Sequence, residues 1–228
     1  MKKLCVLKTI ILLFFFLIVA CKKDNYKVGG DLHNPQIDMT TYDYLRSNRF
    51  GLFDTLLLLI DKAGIKEKIN QKGTFFAPTD YSINRYIEAR TIAVQKADPF
   101  KEWTIYSIIK YELPRFIDSM DIYFIKDKLL PNAVLTAKGT IFTNDKNSQI
   151  VVSYEETTNT NLGYNQNSSV KPKIVYFTYL YIPLVDDFDI TSVKWPVGVR
   201  TLVQSSNGQT TTGTLHVLNN SHTLFFFR

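Results

Sequence analysis

The residue types that most often carry catalysis or hold metals are few in this chain and stand apart. The three histidines, His33, His216 and His222, form no His-x-x-x-His pair, and the two cysteines, Cys5 and Cys21, form no Cys-x-x-Cys pair. No serine or cysteine lies in a nucleophile elbow, and no glycine-rich loop is placed to cradle phosphate. One carboxylate run, Asp186-Asp187-Phe188-Asp189, has oxygen ligands at a spacing that could bind calcium weakly. It lacks the glycine and distal glutamate of an EF-hand loop, so it reads as an acidic turn after a strand. A carboxylate pair for glycoside hydrolysis needs a cleft to set its separation, which no spacing along the chain supplies. His216 falls in a terminal strand, where a hydrogen-bonded structural role is expected rather than a ligand role. His222 follows the turn residues Asn219-Asn220-Ser221 and is expected to be exposed. No catalytic residue, metal or cofactor is therefore expected.

The N-terminus carries a different kind of chemistry. Met1-Lys2-Lys3 is a positive n-region, and Val6 to Ala20 is apolar apart from Lys8 and Thr9. This reads as a secretory signal peptide over residues 1–20, too short and wrongly flanked to span a membrane. The run Leu17-Ile18-Val19-Ala20-Cys21 resembles a bacterial lipobox, which implies lipidation of Cys21 as the new N-terminus. The alternative is ordinary cleavage near Ala20, leaving Cys21 a free thiol. Cys5 lies in the leader, so the mature chain can form no internal disulfide and its fold must rest on its core. The chain has 228 residues and is 45% hydrophobic, enough for one domain with a real core. Of its 27 basic residues, three lie in the leader, leaving 24 against 21 acidic ones and a net charge of +3. They are scattered rather than striped, which gives a nucleic-acid surface little support.

Residues 21–39 contain Gly29-Gly30 and Asn34-Pro35 and read as a lipidated tether. Thr40 and Thr41 offer an N-cap for a short helix with Tyr44 and Leu45 inward. A leucine-rich helix over Phe53 to Ala63 follows, with Leu56, Leu57, Ile60 and Ala63 on one face and Gly64 as its C-cap. After a small turn over Ile65 to Ile69 comes Gly73-Thr74-Phe75-Phe76-Ala77-Pro78-Thr79-Asp80. Its apolar run predicts a short buried strand that Pro78 ends. Thr79 and Asp80 are placed to cap the next helix, through Ile83, Tyr86 and Ile87. A further helix is expected from Pro99 to Tyr111, with Trp103, Tyr106, Ile109 and Lys110 on one face and Pro114 closing it.

Beyond this point the hydrophobic period shortens to that of strands, expected over Ile122 to Leu130, Val134 to Ala137, Thr140 to Thr143 and Ile150 to Tyr154. Residues 155–173 have almost no apolar content and form a long loop. Strands over Ile174 to Pro183, Val197 to Val203, Thr214 to Leu218 and Leu224 to Phe227 complete the sheet. Helices first and strands after predict an α+β domain over residues 40–228, with N-terminal helices packed on a mostly antiparallel sheet.

With that order in place, three motifs resemble the fasciclin domain, an extracellular adhesion and binding module. The first is Thr74-Phe75-Phe76-Ala77-Pro78-Thr79-Asp80. The second is the terminal Gly213-Thr214-Leu215-His216-Val217-Leu218, similar to the family's Gly-x-x-His-Val strand. The third is the mid-domain Tyr-His motif, which falls on Tyr111-Glu112. Glu112 stands where the family has a histidine linked to integrin-type adhesion, so that contact does not carry over. The 155–173 loop reads as an insertion relative to the family, either a private recognition element or solvated filler.

Lys22 and Lys23 follow Cys21 where an inner-membrane lipoprotein carries aspartate, so the leader looks like that of an outer-membrane lipoprotein. With the fasciclin resemblance this implies a non-enzymatic lipoprotein exposed at the cell surface, whose domain binds a protein or glycan. The alternative it implies is an accessory subunit of a TonB-dependent glycan or peptide uptake complex, beside the transporter and its lid lipoprotein. An enzyme is the third and weakest alternative. Exposed aromatics such as Tyr179, Tyr181 or Trp195 could stack on sugars or anchor a partner. Asp54-Thr55-Leu56 and Asp118-Ser119-Met120 resemble a short O-glycosylation signal, the first expected on a helix and the second in a loop.

Overall fold

The computed structural model describes residues 34–185 and 188–227. The leader, Cys21, His33, Asp186 and Asp187 lie outside the described residues, and with them the expected lipidation site.

The helical half begins at Thr40, whose hydroxyl accepts from the Asp43 amide and caps α1 (Thr41–Arg46). Tyr42 and Leu45 face inward, whereas Tyr44 is 37% exposed, a correction to the expected inward face. In α2 (Asp54–Ala63), Leu56, Leu57, Leu59 and Ile60 are buried, and Gly64 closes the helix in the left-handed conformation expected of a C-cap. The turn α3 (Lys66–Ile69) leads to β1 (Gly73–Ala77), every residue of which is buried, and then to α4 (Asp80–Gln95).

The next helix differs from expectation at both ends. It starts not at Pro99 but at Thr104, which forms a reciprocal capping box with Ser107. It also runs through Pro114. After α5 (Ile105–Ser107), a π turn covers Ile108–Glu112, and α6 (Leu113–Ser119) carries Pro114 in its first turn. The wider turn comes where proline has no N–H to give, so the helix restarts instead of ending. Its inward residue is therefore Ile108, while Tyr106 on the expected face is exposed. Asp118 and Ser119 lie in α6 rather than in a loop, and Asp118 is ion-paired with Lys146.

The strands are β2 (Phe124–Lys126), β3 (Thr140–Thr143), β4 (Gln149–Glu156), β5 (Lys173–Leu180), β6 (Gly198–Gln209) and β7 (Gly213–Leu218). Among the described residues they form, with β1, one seven-stranded sheet in the order β2-β1-β7-β6-β5-β4-β3. Only β1 and β7 pair in parallel. The two edges approach each other: Asp145, at the β3–β4 turn, donates its amide to the Phe124 carbonyl at 2.9 Å, so the sheet nearly closes into a barrel. This is an α+β architecture, as the order of elements predicts.

The strand expected over Leu224 to Phe227 is a short helical turn at Leu224–Phe226, the one expected over Val134 to Ala137 is the end of a helical turn (Asn132–Val134) followed by irregular backbone, and the one expected over Ile122 to Leu130 shrinks to β2. The C-terminal correction has a packing reason. Phe225 and Phe226 take φ of 60° and 52°, which points successive rings into different pockets. Phe225 meets Tyr86 and Phe116, while Phe226 stacks on Tyr179 at 4.8 Å. A flat strand would send alternate rings into solvent.

Between helices and sheet lies the main core, which includes Leu56, Ile60, Phe76, Ile83, Tyr86, Phe116 and Phe177. A smaller cluster, Val151, Leu180, Ile190 and Val193, covers the other face of β4 and β5. The expected loop after β4 is present, with one helical turn at Thr160–Leu162. The tether, by contrast, ends earlier than residue 39. Gln209 donates to the Pro35 carbonyl and accepts from the Ile37 amide, both at 2.8 Å, and Thr211 donates to the Met39 carbonyl. Pro35 to Met39 thus belong to the domain, held along the end of β6.

Candidate binding surface

The two end motifs, far apart in the chain, lie side by side. β1 and β7 pair with Gly73 opposite Gly213 and Phe76 opposite His216. The glycine pair is sterically required: a Cβ on Gly213 would sit 2.3 Å from the Gly73 carbonyl oxygen. Phe76 and the His216 ring stack with centroids 4.9 Å apart. Phe75, Ala77 and Val217 enter the core beside them, and Pro78 is buried at the corner.

The polar side chains of these motifs are engaged with the backbone and with one another. The Thr74 hydroxyl donates to the Lys128 carbonyl at 2.6 Å and accepts from the Leu130 amide at 3.0 Å. His216 Nε2 meets the Leu130 carbonyl at 2.9 Å. One residue of each motif therefore grips Leu130, pinning the connection that leaves β2. Thr79 does not cap its own helix: its hydroxyl donates to Asn220 Oδ1. Asp80 caps a different helix from the one expected, accepting from the Thr55 and Leu56 amides at 2.8 and 3.0 Å at the start of α2. The first motif thus ties β1, α2, the β2–β3 connection and the turn after β7 together.

Both histidines are buried and neutral. His216 Nε2 donates to Leu130, leaving Nδ1 to face the Asn207 amide at 3.4 Å. Burial pushes its pKa down to about 4. His222, expected to be exposed, is 4% exposed. Its Nε2 lies 2.7 Å from the Tyr123 hydroxyl, which accepts from the Phe225 amide; among the described residues Nε2 is the acceptor left for the Tyr123 proton, which therefore goes to it. Burial, with the nearby Arg85 charge, lowers its pKa to about 3. Neither imidazole can carry protons near neutral pH.

The mid-domain pair splits between core and surface. Glu112 is buried, accepting from the Tyr86 hydroxyl at 2.7 Å and pairing with Arg90 at 2.8 Å. Burial first, and then the bond to Glu112, raises the Tyr86 pKa well above the ordinary phenol range. Tyr111, by contrast, is 63% exposed. It lies beside Trp103, with centroids 6.1 Å apart, and Lys110 sits over its ring. The Arg90 guanidinium that pairs with Glu112 also sits over the Trp103 ring at 4.6 Å. The Thr91 hydroxyl accepts from the Trp103 amide, laying the 97–104 connection against α4. Ile92, Phe100 and Tyr106 on these same elements are 64%, 95% and 76% exposed. Sequence periodicity missed this face because it assigned Trp103 and Tyr106 to a buried stripe.

Among the other expected contacts, Tyr179 is half-buried on Phe226, and Tyr181 packs edge-on between Tyr179 and the exposed Trp195. Asp189 accepts from the amide and hydroxyl of Thr191, which lower its pKa, and caps a short turn. Among the described residues no three His, Cys, Asp or Glu side chains gather as a metal site. Nor is any described helix long and apolar enough to cross a membrane. No protein-family model matches the chain, and no curated protein matches it.

Proposed function

We propose that the chain is an outer-membrane, lipid-anchored binding protein with one fasciclin-like domain, displayed at the cell surface and acting by contact without chemistry on a substrate. The leader and Cys21 supply the anchor. The observation that carries the reading is the division of roles at the motifs. Thr74, Thr79, Asp80, Glu112 and His216 are engaged inside the domain, while the exposed aromatic and cationic face around Tyr111 is built on the elements they hold. The exposed Tyr111 ring beside Trp103, with Lys110 and Arg90 over the two rings, suits a protein or glycan partner. The parallel pairing of the two end motifs, Phe76 against His216, supports the fasciclin-like reading, since both motifs then serve one joint.

The test is a detergent pull-down from intact outer membranes with the tagged full-length chain, alongside protease shaving of whole cells. Shaving of the domain from live cells, with one partner or glycan enriched on it, is the expected result. Co-purification of a transporter and its lid would assign the partner to an uptake complex. Resistance to shaving would place the domain in the periplasm and overturn the surface reading.

A further inference from the structure

The longest strand, β6, is paired on both sides over only part of its length. From Val203 onward it pairs with β7, and Leu202 is still bonded to Asn219 just past the end of β7, but Gly198 to Thr201 pair only with β5. Backbone groups alternate sides along a strand, and two bonds fix which residues face which way. The Val197 carbonyl accepts from the Tyr181 amide on the β5 side, and the Leu202 carbonyl accepts from the Asn219 amide on the opposite side. Arg200 shares the parity of Leu202. Its N–H and C=O therefore point away from β5, where β7 has already turned off at Asn219, and among the described residues they meet no partner there.

They open into a groove of about 340 Å³ whose far wall is the C-terminal segment with Ser221, His222, Thr223 and Phe226. His222 adds a second observation. With Nε2 receiving the Tyr123 proton, its own proton sits on Nδ1, a donor that meets no partner among the described residues, on a residue of that wall only 4% exposed. The Arg200 guanidinium brings no free charge, since it holds Glu155 at 2.7 and 2.8 Å and the Ile190 carbonyl at 3.0 Å. The groove thus offers the backbone N–H and C=O of Arg200 and a wall with His222 and the aromatic Phe226 in it.

We propose that this groove takes a short, uncharged, extended peptide segment of a partner protein, paired through its backbone with Arg200 on the open edge of β6. A peptide backbone supplies a donor and an acceptor together at each alternate residue, matching the free N–H and C=O of Arg200. The inference is independent of the aromatic face around Tyr111.

The test uses the mature chain and a random decapeptide display library. The peptide selected is remade with alternate backbone amides N-methylated, in the two possible sets. One set is expected to weaken binding at least about tenfold and the other to leave it within about threefold, because only one parity faces β6. Amide exchange at Arg200 slows when the peptide binds. Arg200→Pro removes the N–H at an edge position that tolerates proline and weakens binding at least about tenfold relative to Arg200→Ala, which alone removes the Glu155 pair. Should Arg200→Pro not fold, Thr223→Trp, which fills the groove, takes its place. Equal effects of the two methylated sets, unchanged exchange at Arg200, or no selected peptide would overturn the proposal. So would a wild-type dimer that Arg200→Pro dissociates, which would assign the edge to a second copy.

Discussion

Acidification should destabilise this domain through its two buried histidines, by an amount the structure sets. An unfolded histidine titrates near 6.5, whereas His216 and His222 in the folded domain are held to about 4 and 3. A depressed folded pKa means that the unfolded chain takes up the proton first. The stabilising contribution is therefore complete above 6.5 and is lost as pH falls from there through about 4 and 3. At pH 5 an unfolded histidine is almost fully charged while neither folded one is, so each costs about 2 kcal/mol relative to pH 7, or about 4 kcal/mol together. That is a large share of an ordinary domain stability of about 5–15 kcal/mol. The assay is urea unfolding of the mature chain at pH 7, 6 and 5, followed by the fluorescence of Trp103 and Trp195. His216→Gln and His222→Gln keep a donor for Leu130 and an acceptor for Tyr123 but cannot titrate, so each should remove about half of the pH dependence. A loss below about 1 kcal/mol between pH 7 and 5, or an unchanged slope in the double variant, would refute the reasoning.

Three further substitutions test the joints. Glu112→Ala leaves Arg90 and the Tyr86 hydroxyl without their partner and should lower stability by about 3 kcal/mol, measured by urea unfolding; Glu112→Gln, which keeps the Tyr86 bond, should cost less. Asp80→Ala uncaps α2, a helix it does not belong to, and should cost about 1 kcal/mol, with faster amide exchange at Thr55 and Leu56. Gly213→Ala drives a methyl into the Gly73 carbonyl oxygen and should cost at least about 2 kcal/mol, read as a lower thermal midpoint.

The α+β class, β1 with its proline corner, the Gly64 cap, the strands β3, β4, β5 and β7 and the first half of β6 were legible in the sequence because hydrophobic period and turn residues mark them locally. By contrast, β6 runs on through the polar Gln204 to Gln209, where no hydrophobic period marks it. Errors fell where a distant partner decides. Asp80 follows a strand and begins a helix, so local rules give it to that helix, yet the nearest free amides in space are those of Thr55 and Leu56. Pro114 ends a helix by local rules, but a π turn resets the ladder around it. His222 sits in a turn-forming stretch, and only the Tyr123 hydroxyl explains its burial. Leu224 to Phe227 has the composition of a strand, but left-handed backbone at Phe225 and Phe226 turns it into an aromatic plug. The exposed face at Tyr106 and Tyr111 was hidden for a related reason: aromatic residues at helical spacing read as core until the helix start at Thr104 is known.

Placing a photo-crosslinking amino acid at position 106 or 111 of the full-length chain in living cells tests the proposed contact face most directly, with position 171, on the β4–β5 loop, as the control. A discrete crosslinked product is expected from 106 and 111, absent at 171 and competed away by adding the untagged mature chain. No product from 106 and 111, or the same product from all three positions, would contradict it.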